Sequence, residues 1–225
     1  MRLIRPPGVY PPQDDTMLLA ETVWREPGVS GGRVLDVGTG TGALALLAAR
    51  RRAAEVHAVD VSSRAVATAW LNARLRRAPV RVRRGCLPDP AASGRFDVVL
   101  ANPPYVPAPS PSSLPPHAPA RSWDAGPDGR AVLDDLCARA PALLRPGGVL
   151  LLVQSALSGA GTTLEQLRTQ GLRAEVAARR MIPFGPVLRG RSAWLASRGL
   201  IAPGEDKEEL VVIRAVRPVR ADRAA

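Results

Sequence analysis

A short apolar run, Arg33-Val34-Leu35-Asp36-Val37, breaks into Gly38-Thr39-Gly40-Thr41-Gly42 and resumes as a helical pattern from Ala43 to Ala49. Few backbones satisfy this order of residues. It predicts a buried strand, a tight turn and a helix whose N-terminus faces the turn, which together form a nucleotide-binding corner. The glycines allow positive φ and close approach of a ligand to the backbone, and the helix N-terminus favours a carboxylate or phosphate. Two ligand classes stay open at this point. Gly38, Gly40 and Ala43 meet the relaxed dinucleotide pattern, and S-adenosylmethionine (SAM) fits the same corner. Asp60 ends a second strand-like run, Glu55 to Val59, and an acid there accepts from ribose hydroxyls in either class.

The corner sits in a chain where the two patterns alternate. Strands are predicted near 33–37, 55–60, 80–85, 96–101, 147–153, 173–180 and 210–216. Helices are predicted near 15–25, 42–52, 63–77, 129–144, 160–170 and 186–198. Such alternation gives an α/β fold, a mostly parallel sheet covered by helices on both faces. The 225 residues suit one domain spanning 1–225 with an ample core. Within it, 1–27 reads as an N-terminal cap segment, 103–128 as a proline- and serine-rich substrate loop, 183–209 as a helical insertion before the last strand, and 219–225 as a tail.

Composition narrows the setting. No apolar run reaches the roughly 18–20 residues of a membrane span, so no membrane role is expected. Met1 to Pro7 lack a following apolar stretch, which argues against a signal peptide. Two cysteines, Cys86 and Cys137, are too few for a disulfide framework or a zinc site, so no metal is expected and the cytoplasm is the natural compartment. The net charge of +11 is almost all arginine, with Lys207 the only lysine. It attracts nucleic acid in principle. Arginine, alanine, proline and glycine are all abundant, however, and the arginines are spread along the chain, as a GC-rich coding bias would give. Arg50 to Arg52 and Arg74 to Arg77 end helices, where cations suit the dipole.

Asn102-Pro103-Pro104-Tyr105 follows the apolar run Phe96 to Ala101. A polar residue at a strand exit, held by two prolines, makes a particular clamp. The Asn102 side-chain oxygen and the Pro103 carbonyl are placed to accept both hydrogens of one planar NH2 group, and Tyr105 offers a flat face to it. A hydride-transfer enzyme has no use for such a clamp, whereas group transfer to nitrogen does.

With these residues the chain resembles class I SAM-dependent methyltransferases carrying the Asn-Pro-Pro-Tyr motif. More closely it is similar to the HemK family, the glutamine methyltransferases of peptide release factors, in the short branch without an N-terminal helical domain. The match rests on Val9-Tyr10-Pro11-Pro12-Gln13-Asp14-Asp15-Thr16, on Leu35 to Asp60, and on Asn102 to Val106 with Ser122-Trp123-Asp124-Ala125-Gly126-Pro127-Asp128-Gly129-Arg130 behind it. The resemblance implies a Rossmann-like, seven-stranded sheet with an antiparallel last strand around Leu210 to Ile213. It implies that Asp36, Gly38, Gly40 and Gly42 hold the amino-acid part of SAM, that Asp60 binds its ribose, and that Thr16 lies over it. By residue pattern alone, Thr16 is instead the first turn of a helix capped by Asp14 or Asp15. Catalysis is assigned to Asn102, Pro103 and Tyr105, with Trp123 as a wall of the substrate channel. The family has an acid after the third strand for the adenine amino group. Here that place falls on Cys86, a poor acceptor, so adenine is expected on the backbone near Leu87 or on Asp89. His57, in a strand, and His117, in the loop, are expected to stand outside the chemistry.

The acceptor implied is the glutamine of a release factor's Gly-Gly-Gln loop. Alternatives are a base amine of RNA or DNA, a small metabolite, a lysine in place of glutamine, or a SAM-binding regulator. Some short-branch relatives need a small zinc-binding activator that extends the sheet at the third strand. Here that edge is Val80-Arg81-Val82-Arg83-Arg84, and charges on an edge discourage pairing, so no activator is expected.

Overall fold

The computed structural model describes residues 3–89, 93–109 and 119–219. Seven strands form one sheet in the order β3-β2-β1-β4-β5-β7-β6. They are β1 Arg33–Val37, β2 Glu55–Asp60, β3 Val80–Arg84, β4 Phe96–Ala101, β5 Leu144–Ser155, β6 Arg173–Pro183 and β7 Lys207–Val216. The first five pair in parallel, whereas β7 runs antiparallel between β5 and β6. The longer helices are α1 Asp14–Arg25, α2 Ala43–Arg50, α3 Ser63–Leu75, α4 Ala131–Leu143, α5 Ala160–Thr169 and α6 Pro186–Ser197. This is the Rossmann-like α/β architecture expected from the sequence.

The core follows from where the chain is apolar without alternation. Every residue of β5 from Gly148 to Ser155 is buried, which requires cover on both faces. On one side α1 lies against β5, β6 and β7 and touches α2, and elsewhere α4 packs on β5 and against α5. Leu35, Phe96, Leu100, Leu136 and Leu150 to Leu152 lie at the centre of the cluster. At the opposite edge β3 is half open. Val80 and Val82 are partly buried, and Arg81, Arg83 and Arg84 point outward.

Three boundaries differ from the sequence expectation, each for a physical reason. β5 begins at Leu144, ahead of the Pro146-Gly147-Gly148 turn, because Phe96 pairs with Leu144 before the register shifts to Val98 opposite Val149. Gly148 sits in that shift, and a Cβ there would lie 2.9 Å from the Phe96 carbonyl oxygen. β6 and β7 run longer because they pair with each other beyond the end of β5. Ser155 meets Leu210, whereas Lys207, Glu208 and Glu209 meet only Pro183, Ile182 and Met181. This ribbon carries α6, so the insertion expected at 183–209 reduces to the chain between the two strands. Finally, Gln13 is the N-cap of α1 and makes no side-chain capping bond. The cap expected from Asp14 or Asp15 is not formed, because Asp15 faces the interior and is engaged there.

The candidate methyl-transfer site

The glycine corner forms at the C-terminal ends of β1 and β2. Gly38, Gly40 and Gly42 have φ of 69, 54 and 82°, a region costly for residues with a Cβ. The turn is pinned by Gly38 and Thr39 N–H donating to the Val59 carbonyl at 2.9 and 3.0 Å. A Cβ on Gly38 would stand 3.6 Å from the Asn102 carbonyl oxygen, and one on Gly40 3.9 Å from that of Tyr10. The corner therefore meets the β4 exit on one side and the N-terminal segment on another.

Two carboxylates line it. Asp36 is fully buried, and its Oδ2 accepts from Thr39 Oγ1 at 2.6 Å and Ala45 N at 3.1 Å. Its Oδ1 is buried without a hydrogen-bond partner among the described residues. Burial pushes the Asp36 carboxyl up to about 7, against the Thr39 and Ala45 hydrogen bonds and helped by the Asp60 charge. Asp60 ends β2 and accepts from Gly40 N at 3.0 Å and Ser62 N at 2.9 Å. Burial raises it above the ordinary carboxylate range, and these backbone donors oppose the rise. Gly85 N donates to the Asp60 carbonyl at 2.9 Å, so the chain leaving β3 runs beside Asp60. Cys86 is exposed there. Leu87 is half-buried, and its carbonyl accepts from Arg139 Nη2 at 3.3 Å.

Asn102 leaves β4 beside this corner. Its Nδ2 donates to Thr16 Oγ1 at 3.2 Å across a separation of 86 residues. Thr16 Oγ1 in turn donates to Asp15 Oδ1 at 3.1 Å, and the Thr16 N–H bonds to the same oxygen. The other oxygen, Asp15 Oδ2, accepts from the Tyr10 and Tyr105 hydroxyls, each at 3.1 Å. Tyr105 is only 7% exposed, so it is a tethered wall and not an open platform. Burial holds its phenol well above the ordinary value, reinforced by Asp15, and Tyr10 is raised for the same reasons. Glu208, at the start of β7, joins this buried group. Burial raises its carboxyl, a hydrogen bond from Ser155 opposes this, and Asp15 adds to the rise.

Beyond Tyr105 the chain is held by the stretch Ser122 to Arg130. Val106 N donates to the Trp123 carbonyl at 2.7 Å, Ala125 N to that of Val106 at 3.0 Å, and Ala108 N to that of Gly126 at 2.9 Å. Gly129, at φ 73°, passes under Tyr105, where a Cβ would lie 2.4 Å from the Tyr105 carbonyl oxygen. Arg130 is buried and donates to the Ser158 and Gly159 carbonyls, Thr163 Oγ1, Asp134 Oδ1 and Gln166 Oε1. Trp123 is half-buried on this scaffold. The middle of the expected substrate loop, His117 included, lies outside the described residues.

The structure thus gathers Thr16, Asp36, Gly38, Gly40, Asp60, Asn102 and Tyr105 along one edge of the sheet, with Cys86 and Leu87 beside Asp60. His57 stands apart, bonded to Glu55 at 3.2 Å and edge-on to Phe96. No group of metal ligands occurs among the described residues. Sequence reasoning missed Tyr10, Asp15 as an interior acceptor, and Glu208. Tyr10 and Asp15 lie within the opening segment that carried the resemblance, but only Thr16 was singled out there. The sole signal for Glu208 was an acid heading an apolar strand.

The methyltransferase small domain family matches residues 1–110. A Methanocaldococcus jannaschii protein named as a candidate protein N5-glutamine methyltransferase is 33% identical over 178 residues, covering 79% of this chain and 88% of that one. The chain belongs to the HemK family of methyltransferases. Family members named as release factor glutamine methyltransferases are similar too. That of Deinococcus radiodurans is 42% identical over 74% of this chain, and that of Gloeobacter violaceus 38% over 64%. The chain spans 58% and 52% of the length of these two. In fold, it matches the E. cuniculi Mtq2-Trm112 complex, described as methylating the eRF1 termination factor, with a TM-score of 0.63 at 24% identity over 93% of this chain and 99% of that one. A precorrin-6y C5,15-methyltransferase from Geobacter metallireducens gives 0.58 at 13% identity over 95% of this chain and 94% of that one. The architecture is therefore shared by enzymes with unlike acceptors, and the acceptor must be argued from the site.

Proposed function

We propose that this chain is a SAM-dependent methyltransferase acting on the side-chain amide nitrogen of a glutamine in a protein, the Gly-Gly-Gln loop of a peptide release factor. The observation that carries the reading is the Asn102 amide beside the glycine corner. Its NH2 is committed to Thr16, which leaves Oδ1, together with the Pro103 carbonyl, to accept from a second planar NH2. The names of the relatives supply the acceptor.

The corner fits SAM by its donor and acceptor set. The buried Asp36 carboxylate has one oxygen without a partner among the described residues, which suits a cationic amino group. Gly38, Gly40 and Gly42 admit a ligand against the backbone, and Asp60 suits a ribose diol. The backbone at Cys86 and Leu87 would take the adenine edge, and Thr16 lies between Asn102 and the Asp15 carboxylate. When bound, SAM supplies a methyl group made electrophilic by a sulfonium. The protein's own task is to hold a weak nucleophile. Asn102 Oδ1 and Pro103 O would fix both amide hydrogens of the acceptor and stabilise the positive charge growing on its nitrogen. Fixed placement of this kind is worth roughly 7–11 kcal/mol in favourable cases. Tyr105 and Trp123 would wall the acceptor channel, within a single methyltransferase domain. In this reading the protein works in the cytoplasm and without a separate zinc-binding activator. The described helices include none long and apolar enough to cross a membrane.

A second reading, a base amine in RNA, has one observation in its favour. Residues 61–88 hold seven arginines and no acid, and α3 and β3 bring them to one edge of the molecule. Peptide mapping by mass spectrometry after incubation with SAM and a release factor decides between the two. A gain of one methyl on the Gly-Gly-Gln glutamine, absent from a glutamine-to-alanine control, supports the first reading. Methylation of total RNA with an unmodified release factor supports the second.

A further inference from the structure

Asn102 can clamp an acceptor NH2 only if its own amide faces the right way, and an amide turned by 180° would present two donors to two donors. Which group sets the facing can be read from the count of protons. The Asp15 carboxylate has four donors directed at it, namely Thr16 N–H, Thr16 Oγ1–H, Tyr10 O–H and Tyr105 O–H. With all four directed at it as donors, it acts toward each of them as acceptor. The single hydroxyl proton of Thr16 is thereby spent on Asp15 Oδ1, so toward Asn102 the Thr16 oxygen can act only as acceptor. Asn102 must then turn its Nδ2 to Thr16, as observed at 3.2 Å, and Oδ1 is left for the acceptor. Both Asp15 and Thr16 are buried, so water does not offer either group an alternative partner.

We propose that Asp15 is a positioning residue that fixes the facing of the Asn102 amide through Thr16, and that it braces Tyr105 with its other oxygen. This rests on the amide-clamp reading above. Asp15 is hydrogen-bonded to Thr16, Tyr10 and Tyr105 and acts through a relay of proton directions. Replacing it by asparagine keeps the size but adds two protons. One acceptor oxygen then faces four donors, so the Thr16 hydroxyl is no longer held to it and can donate to Asn102, and the clamp loses its bias.

The test has two arms on the intact protein. In the first, the Asn102 side-chain NH2 resonances are assigned in a 1H–15N spectrum by their loss in Asn102→Asp. One of the two protons is expected to be protected from exchange in the native protein and in Thr16→Ser, and unprotected in Asp15→Asn and Thr16→Val. This arm needs no acceptor, so it stands even if the release factor is not methylated. Equal protection in all four proteins would overturn the proposal. In the second, methyl transfer is measured on the acceptor identified above. Asp15→Asn is expected to lower kcat about 100-fold with SAM affinity and acceptor KM within about threefold, Thr16→Val to lower kcat as much, Thr16→Ser to restore it, and the double variant to turn over no more slowly than either single one. A merely structural Asp15 would instead lower SAM affinity and thermal stability along with kcat, and its effect would add to that of Thr16→Val. That outcome overturns the proposal. Should Asp15→Asn fail to fold, Thr16→Val against Thr16→Ser carries the same comparison.

Discussion

At the residue scale the proposed site offers acceptors suited to cations and amide hydrogens, and two substitutions probe it. Asn102→Ala removes one arm of the clamp and leaves the corner intact. Turnover is expected to fall at least about 100-fold, the cost of losing one preorganised polar partner, while calorimetric SAM affinity stays within a few fold. Parallel loss of both would show that Asn102 serves the cofactor. Asp36 gives a pH signature. Its folded carboxyl stands at about 7 against an ordinary 3.8, so below pH 7 the native state holds a proton that the unfolded chain releases near pH 4. The stability it contributes is complete at low pH and is lost as pH rises through 7, on the order of 4 kcal/mol for so buried a group. Asp60 and Glu208, also raised, act in the same sense. A cationic ligand group beside Asp36 restores that loss. The rise in Tm on adding SAM is therefore expected to be larger at pH 8 than at pH 5.5, and Asp36→Asn should flatten the difference. An equal rise at both pH values would separate Asp36 from the ligand's amino group. The glycines, Asp36, Asp60 and Asn102 were legible in the sequence because each lies within a contiguous strand-turn unit. The Asp15 network was not, since its partners are up to 90 residues apart and no local pattern records which way a hydroxyl proton points.

At the element scale the strand cores and the helices fell where apolar periodicity places them, and the errors lie at ends decided by pairing partners. No local signal tells β6 and β7 to continue past β5, because their last rungs are stabilised by each other alone. The same ribbon explains α6. Phe184, Leu188, Leu195 and Ile201 make a small core of their own that packs on Val106 and Leu157. From this helix Arg191 reaches Asp124 at 2.6 Å and donates to the Pro107 carbonyl at 3.0 Å, joining the outgoing and returning stems of the segment that follows Tyr105. Asp124 is 8% exposed on its side chain, so Arg191→Ala leaves a carboxylate short of its partner. A destabilisation of about 1–3 kcal/mol is expected, less than for a fully buried pair because Arg191 itself is partly solvated. The acceptor KM should rise several-fold while SAM affinity is unchanged, as titration and steady-state kinetics would show. An unchanged KM would make α6 a bystander to acceptor binding.

At the scale of the whole molecule, charge and the open sheet edge bear on each other. Among the described strands β3 has no neighbour on its outer side, and α3 beside it exposes Trp70 at 55% and Leu75 at 60%. An open ladder flanked by apolar side chains is a template for pairing with another chain. Arg81, Arg83 and Arg84 project from that strand, and burying them against a second strand costs desolvation that the ladder hydrogen bonds do not offset. The net charge of +11 adds repulsion between copies, which salt screens beyond about 8 Å at 0.15 M. The native protein expressed alone is therefore expected to sediment as a soluble monomer in low salt. The triple variant Arg81→Thr, Arg83→Thr, Arg84→Thr should self-associate at the same concentration, because threonine keeps the strand propensity and removes the charges. Sedimentation velocity at two salt concentrations separates the two contributions, since edge protection by desolvation survives added salt and long-range repulsion does not. If the native protein is insoluble by itself and becomes soluble with a co-expressed partner, the arginines do not guard the edge. The apolar face of α3 and the open side of β3 would then be an interface waiting to be covered.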